Sequence, residues 1–361
     1  MNGFTYEALP TRVVFGWGAL DQVGPELDRF EAKRVLLIAS GSAKPFADEI
    51  AQSLGERVVA RIDGVPPHVP VEAADEARSQ ARSAGVDAVV SIGGGSTIGL
   101  GKSIALVSPV RHLAVPTTYS GSEMTPFYGV TEAGIKQTGR SVAVKPEAVV
   151  YDPATTVGIP RRVGAGSAMN AMAHCVEALY AKESNPITTL IALEGMRTLD
   201  QGLALVDGDA ETGRSLLLYG SSLGGLALAS VGMAIHHRIC HVLGGSFGLA
   251  HGDANAVILP QALAANAAFA PGAAAAAAAA LGSEDLAGHL FDLAARAGAP
   301  SSLAELGVEA GDLGRAVDLI TSSPSYNPRP VEPGWIRELL TDALEGKRPT
   351  ANGERGRSHG E

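Results

Sequence analysis

Residues 87–102 read DAVVSIGGGSTIGLGK. An aspartate opens an apolar, β-branched run, three glycines follow, and the chain then takes up helical spacing, the pattern of a strand, a tight loop and a helix. Upstream, RVLLIAS (34–40), a helical stretch through FADEIAQSLG, RVVARI (57–62) and another through EAADEARSQARSAG repeat the alternation. Such units form a parallel sheet with right-handed crossovers. Downstream, a helix is expected near 97–108 and a strand at HLAVPTT (112–118). FYGVTEAGIKQTGRSVAVKPEAVVYD (127–152) has the paired apolar residues and glycines of an antiparallel excursion.

From about Pro160 the strand signal is lost, and helices are expected at 164–181, 186–201, 211–230, 232–245, 254–267, 285–297, 311–322 and 333–345. The reading is therefore an α/β, Rossmann-like dinucleotide-binding half (1–158), an all-α helical half (159–346) and a polar tail (347–361) that frays. The alanines at 273–280 read as a short helix facing solvent.

With 361 residues, 46% of them hydrophobic and 18% charged, the chain can bury a sizeable core. A net charge of -10 argues against nucleic acid or an anionic membrane as partner, so a small molecule is the expected ligand. Ser215 to Ile235 runs 21 residues without a charge, but its central glycines and serines and the adjoining His236, His237 and Arg238 favour a buried helix over a membrane span. Cys175 and Cys240 form no CxxC pair, and the N-terminus lacks the pattern of an export signal, so a cytoplasmic location is expected.

Gly93, Gly94 and Gly95 let the backbone approach a phosphate at the start of a helix, where Ser96 adds a hydroxyl. The spacing is neither GxGxxG nor a P-loop, and taken alone it serves close packing as well as phosphate binding. The next strand, however, ends in PTTYSGSEMT (116–125), with Thr117, Thr118 and Ser122. Two small, hydroxyl-rich loops on one sheet edge favour a dinucleotide.

The helical half carries a second cluster. Asn170 and His174 are four residues apart in one expected helix, His237 and His241 in another, and His251 follows the turn VLGGSFGLA. Shared helix faces of this kind suit metal binding, while ordinary structural histidines remain the alternative.

GGGSTIGLGKSIAL, PTTYSGSE, AMNAMAHCVEALY and HHRICHVLGGSFGLAHGDANAVILP, in this order, resemble the iron-containing (group III) alcohol dehydrogenases over most of residues 1–345. YSGSEMTPFYGVTE and SPSYNPRPVEPGWIRELLTDALEGKRP look most like that family's maleylacetate reductase branch. The resemblance implies a cleft between a dinucleotide-binding and a helical domain, a homodimer, and NAD(P)H-dependent reduction of maleylacetate, a dicarboxylate oxo acid, to 3-oxoadipate in the degradation of aromatic compounds. Metal-dependent members use one Asp and three His, matching Asn170, His174, His237 and His251 here. The neutral amide at 170 leads us to expect no tightly bound metal. AHGDAN departs from the PHAETH-like run of the branch, which leaves another carbonyl substrate of the family as the alternative.

By the same resemblance, His241 is expected nearest the nicotinamide as proton donor, with His237, His174 and His251 shaping the oxyanion site. Tyr326, Arg329 and Asn170 are expected to bind substrate, Arg329 as the carboxylate clamp, with Lys102 and Arg238 as further candidates. The first Rossmann strand ends in Ser40, Gly41 and Ser42 with no carboxylate to repel a 2′-phosphate, so both NADH and NADPH should serve.

Overall fold

The computed structural model describes residues 3–132, 135–323 and 326–350. Its first half holds strands β1 (Arg12–Phe15), β2 (Val35–Ala39), β3 (Val58–Asp63), β4 (Ala88–Gly93), β5 (Arg111–Pro116), β6 (Phe127–Glu132), β7 (Ile135–Arg140) and β8 (Ala148–Tyr151). Between them lie helices α1 (Val23–Arg29), α2 (Lys44–Leu54), α3 (Val71–Ser83) and α4 (Gly95–Ala105). Six strands form one parallel sheet in the order β1-β8-β5-β4-β2-β3, while β6 and β7 pair as an antiparallel hairpin.

Strand β2 shows why the sheet is covered on both faces. In an extended chain successive side chains point to opposite sides, so an unbroken apolar run needs two cores. Val35, Leu37 and Ala39 pack with Val23, Leu27, Ala47 and Ile50 of α1 and α2. Leu36 and Ile38 pack with Ala74, Ala77, Leu100 and Ile104 of α3 and α4. The excursion after β5 is confined to β6 and β7. The AVVY segment, which the sequence reading included in it, instead returns as β8 to pair in parallel with β1 and β5. Its run of four buried residues needs cover on both sides, which the sheet interior provides.

The second half is helical: α5 (Arg161–Tyr180), α6 (Pro186–Leu205), α7 (Ala210–Ser230), α8 (Ile235–Phe247), α9 (His251–Asn266), α10 (Pro271–Leu281), α11 (Leu286–Ala297), α12 (Leu313–Thr321) and α13 (Pro333–Leu344). One core gathers α5, α6 and α7, and a second gathers α8, α12 and α13, with α9 contributing to both. The alanine helix α10 does not face solvent all round, since Ala277 is buried against the first core. At the start of the tail, the Lys347 carbonyl accepts from Gln261 and Arg348 pairs with Asp285 and Asp292. The remainder of the tail, 351–361, lies outside the described residues.

Among the described residues no single helix is long and apolar enough to cross a membrane. The uncharged stretch Ser215 to Ile235 is interrupted after Ser230, and α7 and α8 meet at a bend of 101°.

Candidate active site

The chain adds β3 on one side of β2 and then β4 on the other, which opens a crevice beyond their C-terminal ends. Into it run Ser40 to Ser42 after β2 and Gly93 to Ser96 after β4. A Cβ on Gly93 would lie 2.5 Å from Thr97 Oγ1, and φ there is +157°. A Cβ on Gly94 would lie 3.1 Å from Thr118, and one on Gly95 3.7 Å from the Ser120 hydroxyl. The loops after β4 and β5 are thus in contact. Helix α4 starts without a side-chain cap, leaving its first N–H groups for a ligand. This small-residue cradle fits a dinucleotide phosphate. Ser122 lies deeper: its carbonyl accepts from Lys102 Nζ at 2.6 Å.

The same loop reaches the helical half, where Asn170 Nδ2 donates to the Ser120 carbonyl at 3.3 Å. From Asn170 a row of imidazoles extends. His174 and His237 are stacked with ring centroids 4.9 Å apart, His237 meets His241 edge-on at 6.4 Å, and His241 stacks on His251 at 6.0 Å. The row is closed at one end and open at the other: His174 and His237 are buried, His251 is half-buried and His241 is exposed. The structure therefore assembles Asn170, His174, His237, His241 and His251 beside the glycine loops.

Two residues that the sequence reading passed over complete the cluster. Glu177 is fully buried, and its carboxylate accepts from the Ala234 and His236 backbone N–H groups at 2.9 and 2.8 Å and meets His237 Nδ1 at 2.7 Å. His236 is also buried, with Nε2 3.3 Å from the Asn255 carbonyl. The signal for Glu177 was present, because Asn170, His174 and Glu177 follow i, i+4, i+7 spacing on one face of α5.

Burial pushes Glu177 up from the usual carboxylate range. It pushes His236 and His237 down to about 3, and His174 well below its ordinary value. His112, buried under the sheet against Ser91, is likewise brought to about 3 by burial. These imidazoles fold neutral, whereas the unfolded chain binds their protons near pH 6.5. Their contribution to stability is therefore full above about pH 6.5 and is lost as pH falls toward 3, by on the order of 1 kcal/mol per group per pH unit. Urea unfolding midpoints should drop between pH 7.5 and pH 5; equal midpoints would contradict neutral burial.

Asn170, His174, His237 and His251 offer three imidazoles and one amide, a neutral donor set that does little to offset the desolvation of a divalent cation. Asn170 offers an amide oxygen in place of an anion, although that Oδ1 is buried without a partner among the described residues. His174 Nδ1 and His237 Nε2 are likewise buried without a partner among the described residues. Among the described residues, the His, Cys, Asp or Glu group with ligand atoms within 4.8 Å of one another is Glu177, His236 and His237. Hydrogen bonds already engage its carboxylate and the Nδ1 of His237.

Other expected substrate contacts lie elsewhere. Tyr326 donates to the Tyr180 carbonyl at the end of α5, and Asn327 pairs with Asn266 at the end of α9. Arg329 lies over the rings of Phe269 and Trp335 at 5.4 and 4.7 Å. His251 begins α9 and Asn266 ends it, a span of roughly 22 Å at the helical rise. The proline-stiffened loop that carries Arg329 is anchored at the Asn266 end of α9, opposite His251. Arg329→Ala should leave the substrate KM within about twofold and lower stability by about 1 kcal/mol through the lost cation–π contacts; a tenfold rise in KM would return it to the site. Lys102 and Arg238 are structural as well. Buried Lys102, pushed down to about 7 by burial, donates to the carbonyls of Ser122, Thr125 and Phe127. Arg238 donates to the carbonyls of Leu319 and Ile320 at the end of α12.

A parallel sheet whose glycine- and hydroxyl-rich loops meet helices that present a row of imidazoles is compatible with an oxidoreductase. Residues 10–153 match the family model "Iron-containing alcohol dehydrogenase", and residues 164–344 match "Fe-containing alcohol dehydrogenase family, C-terminal". The chain is 46% identical to a maleylacetate reductase of Burkholderia cepacia over 97% of its own length and 100% of that protein's. It is 43% identical to maleylacetate reductase 1 of Rhodococcus opacus, covering 96% of this chain and 98% of that one. The crystal structure of maleylacetate reductase from Agrobacterium tumefaciens superposes with a TM-score of 0.92 at 44% identity, covering 97% of this chain and 100% of that one. The chain belongs to the iron-containing alcohol dehydrogenase family and, within it, to the maleylacetate reductase branch.

Proposed function

We propose that the protein reduces maleylacetate to 3-oxoadipate, using NADH or NADPH and no tightly bound metal. The observation that carries this reading is the end-to-end match to maleylacetate reductases, with identity of 46% across 97% of the chain. The site has the parts that the reaction needs. A dihydronicotinamide held at the glycine loops would supply the hydride for the carbon conjugated with the substrate ketone. This chain's residues then stabilise the charge that develops on the ketone oxygen and deliver a proton.

Exposed His241 and half-buried His251 can exchange protons with solvent and suit that task, while buried His174 and His237 stay neutral. Helix α9 starts at His251 with no side-chain cap, and the carboxylate in its first turn, Asp253, is paired with Arg162 at 2.8 Å, which leaves the positive dipole end to favour an anionic substrate beside the row. Use of either cofactor is supported at the end of β2. The carboxylate in register with Ala39 is Asp63, and Arg61 bridges it at 2.9 Å.

Purified protein freed of metal should oxidise NADH and NADPH when maleylacetate is added, at a rate unchanged by a chelator. Activity that disappears with chelator and returns with iron or zinc would support a metal-assisted carbonyl reductase of the same family. Cofactor binding without turnover of maleylacetate or other oxo acids would remove the reading altogether.

A further inference from the structure

We infer that Glu177 is a positioning residue that holds His237 as the Nδ1–H tautomer, so that the row receives from His237 a hydrogen-bond acceptor and not a donor. The inference deepens the proposed reductase reading and rests on it for its kinetic consequence alone.

An ionised carboxylate can accept hydrogen bonds but cannot donate one. Two backbone N–H groups and one ring nitrogen converge on Glu177: the Ala234 N–H on Oε2 at 2.9 Å, the His236 N–H on Oε1 at 2.8 Å, and His237 Nδ1 beside Oε2 at 2.7 Å. The backbone pair consists of donors whatever the protonation state, and they lie at the N-cap and in the first turn of α8, whose dipole favours an anion there. An ionised Glu177 leaves His237 one way to complete the set, with its proton on Nδ1. The ring's second nitrogen then carries a lone pair on the side away from Glu177, and that Nε2 is buried with no partner among the described residues. His236 does not compete for the role, because its Nε2 faces the Asn255 carbonyl and therefore carries a proton.

The chemical consequence is a division of labour within the row. An acceptor at His237 repels a substrate carboxylate and welcomes a group that brings its own hydrogen, such as an enol hydroxyl, an amide or a water. Stabilisation of the developing oxyanion and delivery of the proton then fall to His241 and His251. The plainer role of Glu177 is to cap α8, and the test must separate the two.

Nitrogen-15 NMR of the histidine-labelled full-length protein at pH 7.5 should show His237 protonated at Nδ1 and bare at Nε2. This arm needs no substrate, so it stands or falls independently of the maleylacetate reading. Glu177→Gln retains the shape but replaces one acceptor oxygen with an N–H donor. It should shift His237 toward the Nε2–H form and lower kcat on the order of 10²-fold, as loss of tautomer control does elsewhere, with the KM for NADH within twofold. In a His237→Asn background the same Glu177→Gln change should leave kcat unaltered, because a residue acting through another has no further effect once that other is gone. An Nε2–H signal in the wild-type protein, a wild-type kcat in Glu177→Gln, or an equal loss in the His237→Asn background would each overturn the inference. Should Glu177→Gln fail to fold, the wild-type spectrum alone still decides the tautomer.

Discussion

His241→Ala is expected to lower kcat for maleylacetate by about 10²–10⁴-fold, the usual contribution of a positioned general acid, with the NADH dissociation constant unchanged. A proton donor must recover its proton after each turnover, which requires contact with solvent. His174 and His237 lack it: they are buried, and burial holds their pKa values low. His241 lies exposed at the open end of the row, 6.0 Å from the half-buried His251 and 6.4 Å from His237. Exogenous imidazole should restore part of the lost rate by occupying the vacated volume. A kcat within threefold of wild type would transfer the donor role to His251 or to water.

Gly225→Ala should cost about 3 kcal/mol of stability and weaken NADH binding in the fraction that remains folded. A Cβ on Gly225 would lie 2.3 Å from the Gly121 carbonyl oxygen and 2.9 Å from Gly121 Cα. Gly121 itself has φ +73°, and its own Cβ would meet the Gly225 backbone at 2.9 Å. Both partners are backbone, so no side chain can swing aside, and α7 must separate from the loop after β5. That loop carries Ser120, whose carbonyl holds Asn170, so the displacement reaches the cofactor crevice and the imidazole row together. Gly334→Ala on the exposed surface of α13, where a Cβ meets nothing within 4 Å, is the control and should change stability by less than about 1 kcal/mol. Equal melting temperatures for Gly225→Ala and Gly334→Ala would show that the contact between the halves is slack.

The βαβ rhythm and the helical half were legible because both rest on local periodicity. The buried run VLLIA and the helical spacing after Gly95 announce themselves within ten residues. Strand β1 and the return of β8 were not legible: each is four residues long, and they pair with each other across more than a hundred residues of chain. The sequence also delivered the identities of the imidazoles, since spacing of four on a helix places Asn170 with His174 and His237 with His241.

Other features of the site arise only between elements. Which imidazoles are buried neutral and which stay open depends on how deeply α8 sinks against α5. Glu177 acquires its role only when the start of α8 is brought onto its carboxylate. Arg329 had the right chemistry for a dianion, and only the fold shows its loop anchored at the end of α9 opposite His251. Sequence alone fixed which functional groups this protein owns and along which local faces they lie, because those follow from backbone periodicity. Tertiary packing decided their solvation, tautomers and neighbours, because these depend on distances between segments that no local spacing encodes.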